Sequence, residues 1–134
     1  MTGPGNNQKA DDGVPSRETR PLVIPMAEFT KVAVLVKYNE RYEVYDLGLE
    51  DLVASMTVLY EGKSTVGHSH SDAEEVCIFI EGKGEIQLAD YHGEDVASGD
   101  TVMIPRGVFH RVFNKGDRAL TFMCVFEKHV GRGK

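Results

Sequence analysis

Residues 62–82 read GKSTVGHSHSDAEEVCIFIEG, and residues 99–114 read GDTVMIPRGVFHRVFN. In the first stretch five residues separate Gly62 from His68, and His70 follows as His-x-His. Four residues then lead to Glu75 and six more to Gly82. The second runs from Gly99 through Pro105 and Gly107 to His110 and Asn114. Side chains alternate across a strand, so His68 and His70 point to one face. Glu75 lies just beyond the short Ser71–Glu74 connection and opens the next strand, which can bring its carboxylate beside them. A turn at Pro105 and Gly107 re-aims the chain and carries the His110 imidazole to the same point. Three imidazoles and one carboxylate form a borderline-to-hard donor set for one divalent ion: Fe, Mn, Ni, Co or Zn. Four protein ligands leave an octahedral ion two positions for substrate. A lone interior histidine is ordinarily a satisfied core residue, but three with a glutamate at these spacings are hard to explain as packing. His92, in a turn, and His129, near the C-terminus, read as solvated surface residues.

The surrounding chain is built for strands. KVAVLVKY, YEVYDL, LVASMTVLYE, EVCIFIE, GEIQLA, TVMIP and ALTFMCVFE are rich in Val, Ile, Leu, Thr and aromatic residues, the types that fit a pleated, half-buried surface. Turn chemistry separates them. Gly82-Lys83-Gly84 predicts a tight hairpin, Asp90-Tyr91-His92-Gly93 a second turn and Ser98-Gly99-Asp100 a third. A turn of helix fits only around Leu47–Val53. Many short strands with Gly-containing turns point to an all-β, antiparallel barrel or jelly roll. Residues 1–20 carry only Met1, Ala10 and Val14 as apolar side chains, prolines aside, too few to offset the entropy of ordering them. They read as a flexible N-terminal arm before a single domain over 21–134.

The 134 residues suit one domain, and 41% of them are hydrophobic, enough for a real core. A formal net charge of −6 argues against a nucleic-acid-binding surface. It does not exclude an anionic small ligand, which local donors can hold. No apolar run is long enough to cross a bilayer and the N-terminus lacks a signal pattern, so a cytoplasmic protein is expected. Cys77 and Cys124 both lie in apolar stretches and read as two separate buried thiols rather than a disulfide. The exposed edge of a short barrel makes a homodimer the expected assembly.

Both stretches resemble the two motifs of the cupin superfamily at every defining position. The resemblance implies a jelly-roll β-barrel with His68, His70, Glu75 and His110 as metal ligands. YEVY at 42–45, MTVLYEGK at 56–63 and TVGHSH at 65–70 look like the archaeal, cupin-type glucose-6-phosphate isomerases. EVCIFIEGKGEIQL and IPRGVFHRVFNKGD are similar to that family's metal-site strands. The likeness spans roughly residues 42–126. Carried over, it implies that Tyr42, Thr57, Thr65 and Gly67 bind the phosphate of a phosphorylated sugar. Hydroxyls and an N–H unobstructed by a Cβ suit phosphate oxygens, although for Thr57 and Thr65 plain β-propensity is nearly as good an explanation. It also implies aldose–ketose isomerisation, either through a cis-enediol with Glu75 as the candidate catalytic base or by a metal-promoted hydride shift. The family commonly has Tyr at the positions of Cys77 and Phe126, which leaves mannose-6-phosphate as acceptable a substrate as glucose-6-phosphate. The same donor set also suits an iron or manganese dioxygenase, and a non-catalytic sugar-binding module is a third reading.

Overall fold

A computed structural model describes residues 21–69, 73–90 and 93–127. The expected arm at 1–20, the ligand His70, the centre of the Tyr91-His92 turn and His129 lie outside these residues. Among the described residues the chain forms one short helical segment and nine strands. A 3-10 turn at Met26–Glu28 runs into α1 (Phe29–Val32), followed by β1 (Val34–Tyr38), β2 (Tyr42–Gly48) and β3 (Leu52–Leu59). Next come β4 (Glu75–Glu81), β5 (Lys83–Leu88), β6 (Glu94–Ala97), β7 (Thr101–Ile104), β8 (His110–Asn114) and β9 (Leu120–Glu127). The strands pair antiparallel in two sheets, ordered β1-β2-β3-β9-β4-β7 and β6-β5-β8. This is a jelly-roll arrangement, as the strand-and-turn pattern predicts.

Alternation along the strands divides each sequence between two environments. Tyr42 and Val44 of β2, Leu59 of β3, Cys77 and Phe79 of β4, Ile86 of β5, Val112 of β8, and Leu120, Phe122 and Cys124 of β9 share one core. The alternate residues Tyr45, Leu47, Ala54, Met56, Ile80 and Met123 face outward from the large sheet, and Ile24, Phe29 and Ala33 cover them. The helical segment is therefore held by packing. Alone, four residues of α-helix could not offset the cost of nucleation. Burying Phe29 to 6% exposure contributes about 1.5–3 kcal/mol.

Four expectations require correction. The Leu47–Val53 stretch is not helical: β2 ends at Gly48, β3 starts at Leu52, and Leu49 N–H donates to Leu52 O at 2.8 Å to close a tight hairpin. The first residues of KVAVLVKY are helical instead, because Phe29 and Ala33 have an apolar sheet face to cover. Gly82 is not a hairpin tip, since β4 and β5 belong to different sheets. It is the corner between them, with φ of +92° and Ala119 O only 2.7 Å from where a Cβ would lie. Cys77 and Cys124 are direct cross-strand partners, 4.1 Å apart at Cα, and form a disulfide. Their pairing follows from the β4–β9 register, which neither segment reveals alone. Ser98-Gly99-Asp100 does turn: Asp100 N–H donates to Ala97 O at 3.0 Å, and Gly99 has φ of +98°.

Candidate metal centre and cavity

His68 precedes β4 by seven positions, and His110 opens β8, yet the two form an isolated antiparallel bridge. His68 N–H donates to His110 O at 3.0 Å, and His110 N–H to His68 O at 2.9 Å. The bridge sets the imidazoles edge to face, centroids 4.4 Å apart, with Nε2 of one 3.1 Å from Nε2 of the other. Glu75, the first residue of β4, adds its Oε1 at 3.3 Å from His110 Nε2. Glu75 and His110 are buried, whereas His68 is exposed. Ligand atoms about 2.1 Å from a shared ion and at right angles to one another stand about 3.0 Å apart. The His68–His110 and His110–Glu75 spacings are compatible with that geometry.

The protonation of His110 also fits. Its Nδ1 lies 3.0 Å from Val108 O, and a carbonyl can only accept, so Nδ1 carries the hydrogen. In the neutral ring Nε2 then presents its lone pair toward Glu75 and His68, the arrangement that orients a ligating imidazole. Without an ion, burial has the largest single influence on His110 and pushes its pKa down. The hydrogen bond to Glu75, the charge of Glu75 and the Val108 carbonyl together outweigh it, leaving the imidazole above its ordinary value. With its proton kept on Nδ1, His110 Nε2 would join His68 and Glu75 as a donor to a cation. Oε2 of Glu75 faces Cys77 Sγ at 3.6 Å. A disulfide sulfur has no hydrogen to donate, so this is packing, and it holds the carboxylate from behind.

The trio opens into a cavity of about 570 Å³ between the sheets, a size suited to a small-molecule ligand. All four residues expected at a phosphate line it: Tyr42, Thr57, Thr65 and Gly67. They differ in what else they do. Thr65 Oγ1 accepts from Val112 N–H at 3.0 Å, and Arg111 Nε donates to Thr65 O at 2.8 Å, so this threonine also ties the 64–68 segment to β8. Gly67 has φ of +89°, a backbone conformation that favours glycine, and a Cβ there would have to displace the Phe109 ring, whose Cζ would lie 2.5 Å away. Thr57 is half-buried on the inner face of β3, opposite Val44. Ser55 and Lys37 also line the cavity and were missed in the sequence. Ser55 was findable, because it lies two residues before Thr57 on the same strand face.

Residues 55–126 match the family model described as Cupin domain. Glucose-6-phosphate isomerase of Thermococcus litoralis is 35% identical over 106 residues, covering 67% of this chain and 56% of that protein. The chain therefore spans little more than half the length of such relatives. Among solved structures, a double-stranded beta-helix domain protein of Klebsiella pneumoniae superposes with a TM-score of 0.68 at 18% identity, covering 86% of this chain and 93% of that one. Oxalate decarboxylase of Bacillus subtilis gives 0.65 at 19% identity, over 73% of this chain and 28% of that one. Likenesses at that identity speak to the fold.

Proposed function

This chain belongs to the cupin family, and on that premise we propose that it is a divalent-metal-dependent enzyme interconverting aldose and ketose forms of a hexose phosphate. The observation that carries the reading is the content of one cavity. His68, Glu75 and His110 converge in it, and the hydroxyl-bearing Tyr42, Thr57 and Thr65 line it too. The match to glucose-6-phosphate isomerases supports the same substrate class. His70 completes the proposed ligand set.

When bound, the divalent ion would supply Lewis acidity at the sugar carbonyl. The remaining work belongs to the chain. Glu75 is the base proposed to move a proton between C1 and C2, because its buried carboxylate is the one the cavity offers among its described lining residues. Val108, through His110 Nδ1, keeps the imidazole oriented. Tyr42, Thr57, Thr65 and Gly67 N–H would hold the phosphate, so that binding energy gained there positions C1 and C2.

A homodimer is part of the proposal, with β1 as an edge strand whose Val34, Leu35 and Tyr38 are exposed. So is a cytoplasmic location. Among the described residues no helix is long and apolar enough to cross a membrane. The deciding experiment is metal analysis of the purified protein, followed by anaerobic assay of the metal-loaded protein with glucose-6-phosphate, mannose-6-phosphate and fructose-6-phosphate. Ketose–aldose conversion without oxygen is expected. Failure of all three sugars to react would overturn the isomerase, and oxygen consumption would turn the reading toward a dioxygenase.

A further inference from the structure

We propose that Lys37 is the cation of this cavity's anion-binding end, turned into it by a β-bulge in β1. The inference rests on the phosphate-binding reading above and extends it to a residue outside the motifs.

The register shows how the lysine reaches the cavity. Val34 opposes Asp46 and Leu35 opposes Tyr45, so unbroken pairing would set Val36 against Val44 and Lys37 against Glu43. Glu43 belongs to the face of β2 that carries Tyr45, the outer one. The register instead shifts between Leu35 and Lys37, Val36 becomes the extra residue, and Lys37 stands opposite Val44. Val44 packs on the inner core. One inserted residue has thus moved a charge from the outer face to the inner one, which is the recurring use of bulges beside binding sites. Lys37 lines the cavity as a result, beside Val36.

The neighbours of Lys37 suit an anion. Lys37, Val44, Thr57 and Phe122 form one row across β1, β2, β3 and β9. The lysine therefore shares its register level with Thr57, and its Nζ stands 5.8 Å from the centre of the buried Tyr42 ring. Glu75 opposes Phe126, four residues along β9 from the Phe122 row. Attraction for an anion and the carboxylate ligand are thus kept two inner-face positions apart. Among the described lining residues Lys37 is the one Lys or Arg. Among the described residues, too, no carboxylate forms an ion pair with it. In a chain of net charge −6, a phosphate needs such a local cation, and an ammonium serves it as a point charge.

The test compares the metal-loaded parent with Lys37→Met and Lys37→Arg by calorimetric titration with fructose-6-phosphate, fructose and inorganic phosphate. Lys37 is solvent-exposed, so the variants should fold and keep their metal, which circular dichroism and metal analysis verify. Lys37→Met should bind fructose-6-phosphate and inorganic phosphate about tenfold or more weakly, with a shallower salt dependence. Its affinity for fructose should be unchanged, and Lys37→Arg should recover most of the loss. Equal binding of phosphate compounds by parent and Lys37→Met overturns the proposal while leaving the substrate class intact. Binding by the parent without turnover, but with the Lys37 effect, sustains the anion site and removes the isomerase. A parent that binds neither phosphate compound overturns both.

Discussion

His68 and His110, 42 residues apart in sequence, exchange both backbone hydrogen bonds of an antiparallel pair and bring their Nε2 atoms to 3.1 Å. The bridge brings the two candidate ligands together. It joins the segment before β4 to the start of β8, so the two motifs meet through main-chain hydrogen bonds. His110→Ala should then leave the fold intact, because the backbone bonds remain. Metal retention should fall by more than about tenfold, since even partners outside the ligand shell are worth that much. Metal content after dialysis and a melting curve test this together, and parent-like retention would sink the ligand assignment.

Thr57 and Thr65 look equivalent in sequence, and the structure separates them. Thr57→Val should raise KM for a phosphorylated sugar about tenfold, through loss of one hydrogen bond to a charged group, with an unchanged melting temperature. Thr65→Val also removes the acceptor of Val112 N–H. It should cost about 1–3 kcal/mol of stability besides, read from denaturant unfolding. Equal stability losses in both variants would show that Thr57 has a structural bond of its own.

The Cys77–Cys124 link closes a sequence separation of 47 residues. Loop-closure entropy for that length amounts to about 4 kcal/mol in the unfolded chain, before native-state effects. Reduction under native conditions should therefore lower the melting temperature distinctly. It should also free two thiols, titratable after unfolding, beside Glu75. An unreduced sample with two titratable thiols on unfolding would contradict the bond.

The fold was legible, and the candidate ligands His68, Glu75 and His110 could be named, because both readings are local. Turn residues, strand composition and the spacings around His68, Glu75 and His110 each concern a few neighbouring residues. Features that depend on how two distant strands register were not legible. The pairing of Cys77 with Cys124 depends on β4 against β9, and the inward turn of Lys37 on a bulge defined against β2. Gly82 was misread for a related reason: a glycine with positive φ serves a hairpin and a corner equally, and the partner strands decide which. β6 and β8 went unread as strands because EDVA is short and HRVFN lay inside a motif. The helical turn at Phe29–Val32 forms because an apolar sheet face needs covering, which no local propensity reveals.

The outer face of β2 carries a cluster with a defined pH response. Glu43 accepts hydrogen bonds from Tyr45 Oη at 2.6 Å and from Tyr60 Oη at 2.5 Å. The two hydroxyls hold the Glu43 carboxyl below its ordinary value. In return, the hydrogen bond to Glu43, reinforced by burial and by the nearby charges, pushes Tyr45 up to about 12. Tyr60 is raised for the same leading reason. A raised tyrosine binds its proton more tightly folded than unfolded. Its contribution to stability is therefore complete below the ordinary value of 10.0 and fades as pH climbs toward 12. Glu43 works in the opposite sense: its contribution is present above the ordinary carboxylate value of 4.5 and is lost as pH falls below it. Glu43→Gln removes the charge that both tyrosines oppose. Tyrosinate absorbance should then show Tyr45 ionising below its parent value of about 12, and stability should decline less at alkaline pH than in the parent. Parent and Glu43→Gln titrating alike would mean that Glu43 does not govern Tyr45.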